Sequence, residues 1–256
     1  MNAADPWEPL KQFTAARIAM GRAGTSIPLQ HLLQFNLAHA HARDAVYSVL
    51  DAHALVEGLT RQGLSVIQIR SQARNRQEYL QRPDLGRLPD EFSLQAIRQY
   101  TAFPCDVSII IADGLSARAI NAHAVPLLDI LTVMLQSAGL TLAPFCVAAQ
   151  ARVALADPVA HALQARLSII LIGERPGLSA ADSMGAYITY KPRPALTDES
   201  RNCVSNIRPQ GLPYQPAAEK IFYLVQEALR RGLSGVQLKD DFLTLDSRAE
   251  RGLDRK

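Results

Sequence analysis

Cysteine is scarce in this chain of 256 residues, and the little there is does not cluster. Cys105, Cys146 and Cys203 lie far apart, are odd in number and include no Cys-x-x-Cys pair. That argues against a disulfide framework or a zinc knuckle, predicts no metal site, and points to a reducing cytoplasm. Excess charge of one sign is also lacking: 27 Lys plus Arg stand against 24 Asp plus Glu, a formal net charge of +3. With no Lys/Arg run and no aromatic-studded basic stretch, no nucleic-acid partner is expected. No apolar run approaches the ~20 residues of a membrane span, so no membrane partner is expected either. The opening Met-Asn-Ala-Ala-Asp-Pro-Trp has no basic region followed by an apolar one, unlike a secretory signal. No Gly-x-Gly-x-x-Gly follows a predicted strand, and neither a Walker A sequence nor a Gly-x-Ser-x-Gly elbow occurs. The standard dinucleotide fingerprint, the P-loop and the usual hydrolase nucleophile are thereby set aside.

What is present is ordinary globular material, 48% hydrophobic and 20% charged, enough for a sizeable core. The most informative stretch is Leu167-Ser-Ile-Ile-Leu-Ile-Gly-Glu-Arg-Pro-Gly177. Its unbroken apolar run suits a strand buried on both faces, as in a parallel sheet. The run stops at a turn carrying Glu174 and Arg175, at the strand end where such sheets bind ligands. Further strands are predicted over Ser65–Arg70, Asp106–Ala112, Thr141–Val147 and Ala186–Tyr190, the last at the sheet edge. Helices are predicted over Pro89–Tyr100, onward from Ser116 to about Ala138, over Asp157–Arg166 with Asp157 as cap, and over Pro216–Arg231. Residues 8–58 read as helical with breaks at Gly21–Gly24 and at Ile27-Pro28. Residues 71–87 read as polar, with Arg70, Arg74, Arg76, Arg82 and Arg87 crowded together. The alternation of strands and helices predicts an α/β fold with a Rossmann-like, mostly parallel sheet and helices on both faces. Three regions are expected: a helical one over 1–58, the α/β domain over 59–238, and a polar tail over 239–256.

Several residues invite a chemical reading. Glu174 is either the cap of a following helix or a carboxylate that accepts hydrogen bonds from a ligand's amide or hydroxyl groups. Asp113-Gly-Leu-Ser116 repeats that arrangement on another strand. His39 and His41 are two apart, on different helix faces, which is poor metal spacing. Asp51-Ala-His53 falls short of the Asp-x-His-x-x-Gly signature of base-off cobalamin carriers, because Val56 stands where glycine should and no strand precedes it. Cys203 lies in a polar stretch and reads as a small packed residue rather than a nucleophile. The arginines from Arg70 to Arg87 form either a solvated surface or a docking surface for carboxylates. Read from the residues alone, an alternative is a stand-alone α/β enzyme with a small phosphorylated or nucleotide-like ligand at the Asp113 and Glu174 loops.

Five stretches in order and spacing resemble the small (light) subunit of ethanolamine ammonia-lyase. They are Thr14-Ala-Ala-Arg-Ile-Ala-Met-Gly-Arg-Ala-Gly24, Tyr79-Leu-Gln-Arg-Pro-Asp-Leu-Gly-Arg87, Asp113-Gly-Leu-Ser116, Gly173-Glu-Arg-Pro-Gly-Leu178 and Cys203-Val-Ser-Asn-Ile207. The resemblance runs from about residue 8 to residue 238. It implies a subunit of an adenosylcobalamin-dependent lyase that converts ethanolamine to acetaldehyde and ammonia. A large barrel subunit would hold the substrate, and this chain would cover the base-on cofactor without supplying a catalytic residue. Heterodimers would assemble as six plus six. The resemblance places cofactor contacts at Val153, Glu174 and Cys203. Two departures stand out. Gln150-Ala-Arg-Val153 carries alanine where the family has glycine. The amphipathic extension linked to enclosure in a bacterial microcompartment is not seen, which argues against enclosure.

Overall fold

The structure, a computed structural model, describes residues 6–14, 16–100 and 104–239. Beyond its first residue, the predicted tail lies outside the described residues. Six strands form one sheet: β1 (Val66–Arg70), β2 (Cys105–Ala112), β3 (Phe145–Ala149), β4 (Ala165–Gly173), β5 (Met184–Tyr190) and β6 (Arg201–Ile207). Their spatial order is β1-β3-β2-β4-β5-β6. The first four pair in parallel, as expected of an α/β chain. β5 and β6 run antiparallel, so the sheet is mixed. The reason is chain length: a parallel return needs a crossover of a dozen or more residues. Only residues 174–183 separate β4 from β5, and only 191–200 separate β5 from β6.

The β5–β6 pair overturns one expectation. β5 was predicted at the edge, yet it lies between β4 and β6. β6 escapes a sequence reading because only Arg201, Val204 and Ile207 are buried in Arg-Asn-Cys-Val-Ser-Asn-Ile. An edge strand with one open face carries little apolar signal.

Among the described residues seven helices accompany the sheet: α1 (Leu29–Val46), α2 (Ala52–Arg61), α3 (Arg76–Gln81), α4 (Glu91–Arg98), α5 (Ala117–Ser137), α6 (Ala156–Ala162) and α7 (Tyr214–Arg231). Local chemistry starts four of them. Asp51, Asn75, Asp90 and Ser116 each accept a backbone N–H of the first turn. α7 stops at Gly232, whose φ of 71° places it in the left-handed region. The polar stretch 71–87, for which the sequence suggested no element, contains α3 and a 3-10 turn at Leu85–Arg87. Asp157 does not cap its helix; it sits inside α6, buried.

Strand periodicity divides the core in two. Val107, Ile109 and Ile111 of β2 share one face with Leu167, Ile169 and Leu171 of β4, packed under α2, α5 and α7. Ile110, Ala112, Ile170 and Ile172 share the other face with Ile97 of α4 and Val159 of α6. α5 is long and apolar enough, by length and composition, to cross a membrane. Its Ile120, Leu127, Leu128, Leu131 and Leu135 are buried in the first of these cores. α1 differs: Ala45 alone is buried, while Leu29, Leu32, Leu33, Phe35 and Leu37 are exposed. The connection through α5 steps back along the sheet, whereas those through α4 and α6 step forward, onto the opposite face. Loops therefore diverge at the carboxyl ends of β2 and β3, the position where open α/β sheets keep their crevice.

Candidate functional site

An open groove of about 430 Å³ occupies that position. One wall is the β3 exit, with Arg152 and Val153. The other is the β4 exit, with Gly173, Glu174 and Arg175, and Tyr187 of β5 lies beside it. Gly114 and Leu115, from the β2 exit, lie between. The β2 and β4 exits touch backbone to backbone: Leu115 N–H donates to the Gly173 carbonyl at 2.9 Å. Gly114 has φ +54°, and a Cβ there would fall 2.3 Å from the same carbonyl oxygen. No side chain fits that approach.

The structure brings two of the three expected cofactor positions, Val153 and Glu174, to this groove. Val153 is half-buried in a 3-10 turn just before α6. Glu174 is half-buried, and no helix follows it within 174–183, so it caps none. Its two carboxylate oxygens share one donor, the Asn206 N–H at 3.3 and 3.2 Å. A carboxylate has about four acceptor positions, so most of Glu174's capacity is unspent on that bond. Cys203 is not among the lining residues. It pairs in register with Tyr187, and the two side chains are within hydrogen-bonding reach. The residue is exposed, yet its thiol is screened enough that desolvation, opposed by Tyr187 and aided by Glu174's charge, pushes its pKa up. A raised pKa leaves little thiolate and no nucleophile.

A buried polar unit underlies the β2 and β3 exits. Asp113, 2% exposed, accepts the N–H groups of Gln150 at 2.8 Å and Ala151 at 2.9 Å. Burial pushes its carboxyl pKa up, while those two donors and Arg76 pull it down. Each oxygen accepts a backbone N–H and the side chain is buried out of the groove's lining, so Asp113 is not available to a ligand as the sequence reading allowed. Ser116 is committed too: it caps α5 and donates its hydroxyl to the Ala181 carbonyl. Tyr79, fully buried, donates its hydroxyl to the Ala151 carbonyl at 3.1 Å. Desolvation leads its pKa up to about 12. The guanidinium groups of Arg76 and Arg152 lie over its ring, 4.8 and 4.3 Å from the centroid. Gly86 is required by this packing, since a Cβ would meet the Arg152 side chain at 2.7 Å. Ala151, which the resemblance sets against a glycine, needs no left-handed backbone; that conformation falls on Gln150, at φ +54°.

Sequence reading missed Tyr79, Arg76, Arg152 and Tyr187. Tyr79 and Arg76 were hidden in the arginine-rich stretch, whose Arg70, Arg74, Arg82 and Arg87 are indeed exposed. The available signal was Asn75, a helix cap that turns Arg76 and Tyr79 onto one face of a short helix. Tyr187 could have been found from the alternation in β5, which sends it to the face opposite Ala186 and Ile188.

The family model described as ethanolamine ammonia-lyase light chain (EutC) matches residues 4–239. The ethanolamine ammonia-lyase small subunit of Azotobacter vinelandii is 51% identical over 240 residues, covering 93% of this chain and 89% of that one. The protein of the same name from Pseudomonas aeruginosa is 49% identical over 243 residues, covering 94% and 89%. That from Ralstonia nicotianae is 49% identical over 239 residues, covering 92% and 88%. With residues of the Tyr79–Arg87, Asp113–Ser116 and Gly173–Leu178 motifs lining one groove and the match running almost end to end, this chain belongs to the ethanolamine ammonia-lyase light chain family.

Proposed function

We propose that this chain is the small subunit of an adenosylcobalamin-dependent ethanolamine ammonia-lyase, the enzyme that converts ethanolamine to acetaldehyde and ammonia. In this reading the groove takes one edge of the corrin while a large subunit holds the other side and the substrate. The observation that carries it is the unspent acceptor capacity of Glu174 beside Val153, with Cys203 one side chain away through Tyr187. A corrin edge alternates apolar ring carbons with amide side chains. Val153, Ile172 and Leu115 suit the former, and the Glu174 carboxylate suits amide N–H donors. The groove is open rather than enclosing, which suits a lid that needs a second polypeptide to complete the site. When bound, the cofactor supplies the radical chemistry; this chain binds, orients and excludes water. Six-plus-six assembly and a cytoplasmic setting belong to the same proposal, the latter in keeping with three unpaired cysteines. The alternative, a stand-alone enzyme on a small phosphorylated or nucleotide-like ligand at the Asp113 and Glu174 loops, keeps only the Glu174 loop, because the buried Asp113 carboxylate accepts the N–H groups of Gln150 and Ala151.

The test is Glu174→Ala in the two-subunit assembly. Loss of a charge-assisted hydrogen bond should weaken adenosylcobalamin binding by roughly 1.5–3 kcal/mol, with subunit association intact. Visible-absorbance titration measures it, and unchanged affinity would reduce Glu174 to a tether for β6.

A further inference from the structure

Arg76 does more than its position on a two-turn helix requires. Its Nε donates to the Val46 carbonyl at the end of α1, at 2.7 Å. Its Nη1 donates to the Gly114 carbonyl at 2.7 Å and stands 3.8 Å from the Asp113 carboxylate. Its guanidinium also lies over the Tyr79 ring. From this one group, two routes lead to the two walls of the groove. Through Asp113 the route reaches Gln150 and Ala151, two residues before Val153. Through Gly114 it reaches the backbone contact with Gly173, one residue before Glu174. Nη2 is buried with no hydrogen-bond partner among the described residues. An arginine kept only for stability would be expected to satisfy that donor.

We propose that Arg76 is the positioning residue of the groove: its forked guanidinium sets the spacing between the Val153 wall and the Glu174 wall, and so sets how well the groove accepts a corrin edge. This rests on the cofactor reading of the groove. Lysine keeps the charge but gathers its donors on one nitrogen, so it cannot reproduce the separate, rigidly spaced Nε and Nη1 donors that serve Val46 and Gly114.

Arg76→Lys in the two-subunit assembly is the first variant. Its dissociation constant for adenosylcobalamin should rise about tenfold, which is about 1.4 kcal/mol, while kcat at saturating coenzyme stays within about twofold. Amide exchange at Gln150 and Ala151 should quicken in the coenzyme-free assembly, because the Asp113 carboxylate that accepts both loses its neighbour. Tyr79→Phe is the second variant. It keeps the ring beneath the guanidinium and frees only the Ala151 carbonyl, and it should weaken coenzyme binding in the same direction by a few-fold. If Arg76→Lys fails to assemble, Tyr79→Phe decides alone. A lower melting temperature with unchanged coenzyme affinity in the assembled variants would make Arg76 a structural brace and overturn the inference. A wild-type assembly that takes up no coenzyme would instead overturn the reading on which it rests.

Discussion

The buried pair Asp157–Arg201 illustrates how much a single residue's surroundings decide. Arg201 reaches both carboxylate oxygens of Asp157, at 2.7 and 2.8 Å, with both side chains at or below 2% exposure. Burial pushes the Asp157 pKa up, and the bidentate guanidinium works against that. Removing one partner leaves a buried charge alone, so Arg201→Ala should cost about 3–5 kcal/mol of stability. Urea unfolding of the purified chain measures this, and a loss below about 1 kcal/mol would mean that water reaches the pair. Gly114 is the second case. At φ +54° and against the Gly173 carbonyl, Gly114→Ala combines backbone strain with a forced parting of the β2 and β4 exits. The expected loss is at least about 1 kcal/mol, accompanied by weaker coenzyme binding in the assembly. Wild-type melting and binding together would show that the loops tolerate the shift. The turn role of Gly114 was legible in the chain, but the Asp157 pair was not. Asp157 before proline looks like a helix cap, and its partner lies 44 positions away.

Elements were legible where one repeat explains their burial. β2 from Val107 and β4 from Leu167 are buried residue after residue, apolar but for Ser108 and Ser168, because helices cover both faces, and that run can be read directly. The caps of α2, α4 and α5 are Asp51, Asp90 and Ser116, whereas the cap expected from the sequence, Asp157, lies inside α6. β6 was not legible, because its open face is polar. The packing of α5 against α7 gives this scale its own test. His123 of α5, 6% exposed, meets the Tyr214 hydroxyl of α7 at 2.8 Å. Asp182 from the β4–β5 loop and Arg208 after β6 also face it, and they pair with each other at 3.6 Å. Burial pushes the imidazole pKa down from 6.5, Asp182 pulls it up, and Arg208 adds to the downward push. The unfolded chain therefore holds the proton more tightly than the folded one. The neutral histidine's contribution is present above the ordinary imidazole value and is lost as pH falls below about 6.5. Between about pH 7 and pH 5 the wild-type melting temperature should fall more than that of His123→Gln, which keeps a polar contact to Tyr214 without titrating. Parallel melting curves across that range would count against the burial of this ring.

At the scale of the whole molecule, the groove is half a site. Its walls are exit loops of one sheet, and its mouth faces away from the core. The isolated chain should therefore bind adenosylcobalamin at least ~100-fold more weakly than the assembly, since one open wall cannot bury a ligand of that size. Equilibrium dialysis of the chain alone and of the assembly makes the comparison, and equal affinities would place the complete site in this chain. The sequence by itself determined the α/β class, the strands that bury both faces, most helix starts, the family, and the placing of Glu174 at a strand end. These depend on local propensity and on one periodicity at a time, which a chain displays in order. Only the tertiary structure decided that the sheet turns antiparallel at β5, that Asp113 is consumed within the fold, and that Arg76, Tyr79 and Arg152 stack beneath the groove. Those outcomes depend on loop length measured against crossover length, and on which distant backbone groups compete for the same few donors and acceptors. No local pattern encodes that competition; it is settled when the β2, β3 and β4 exits meet in space.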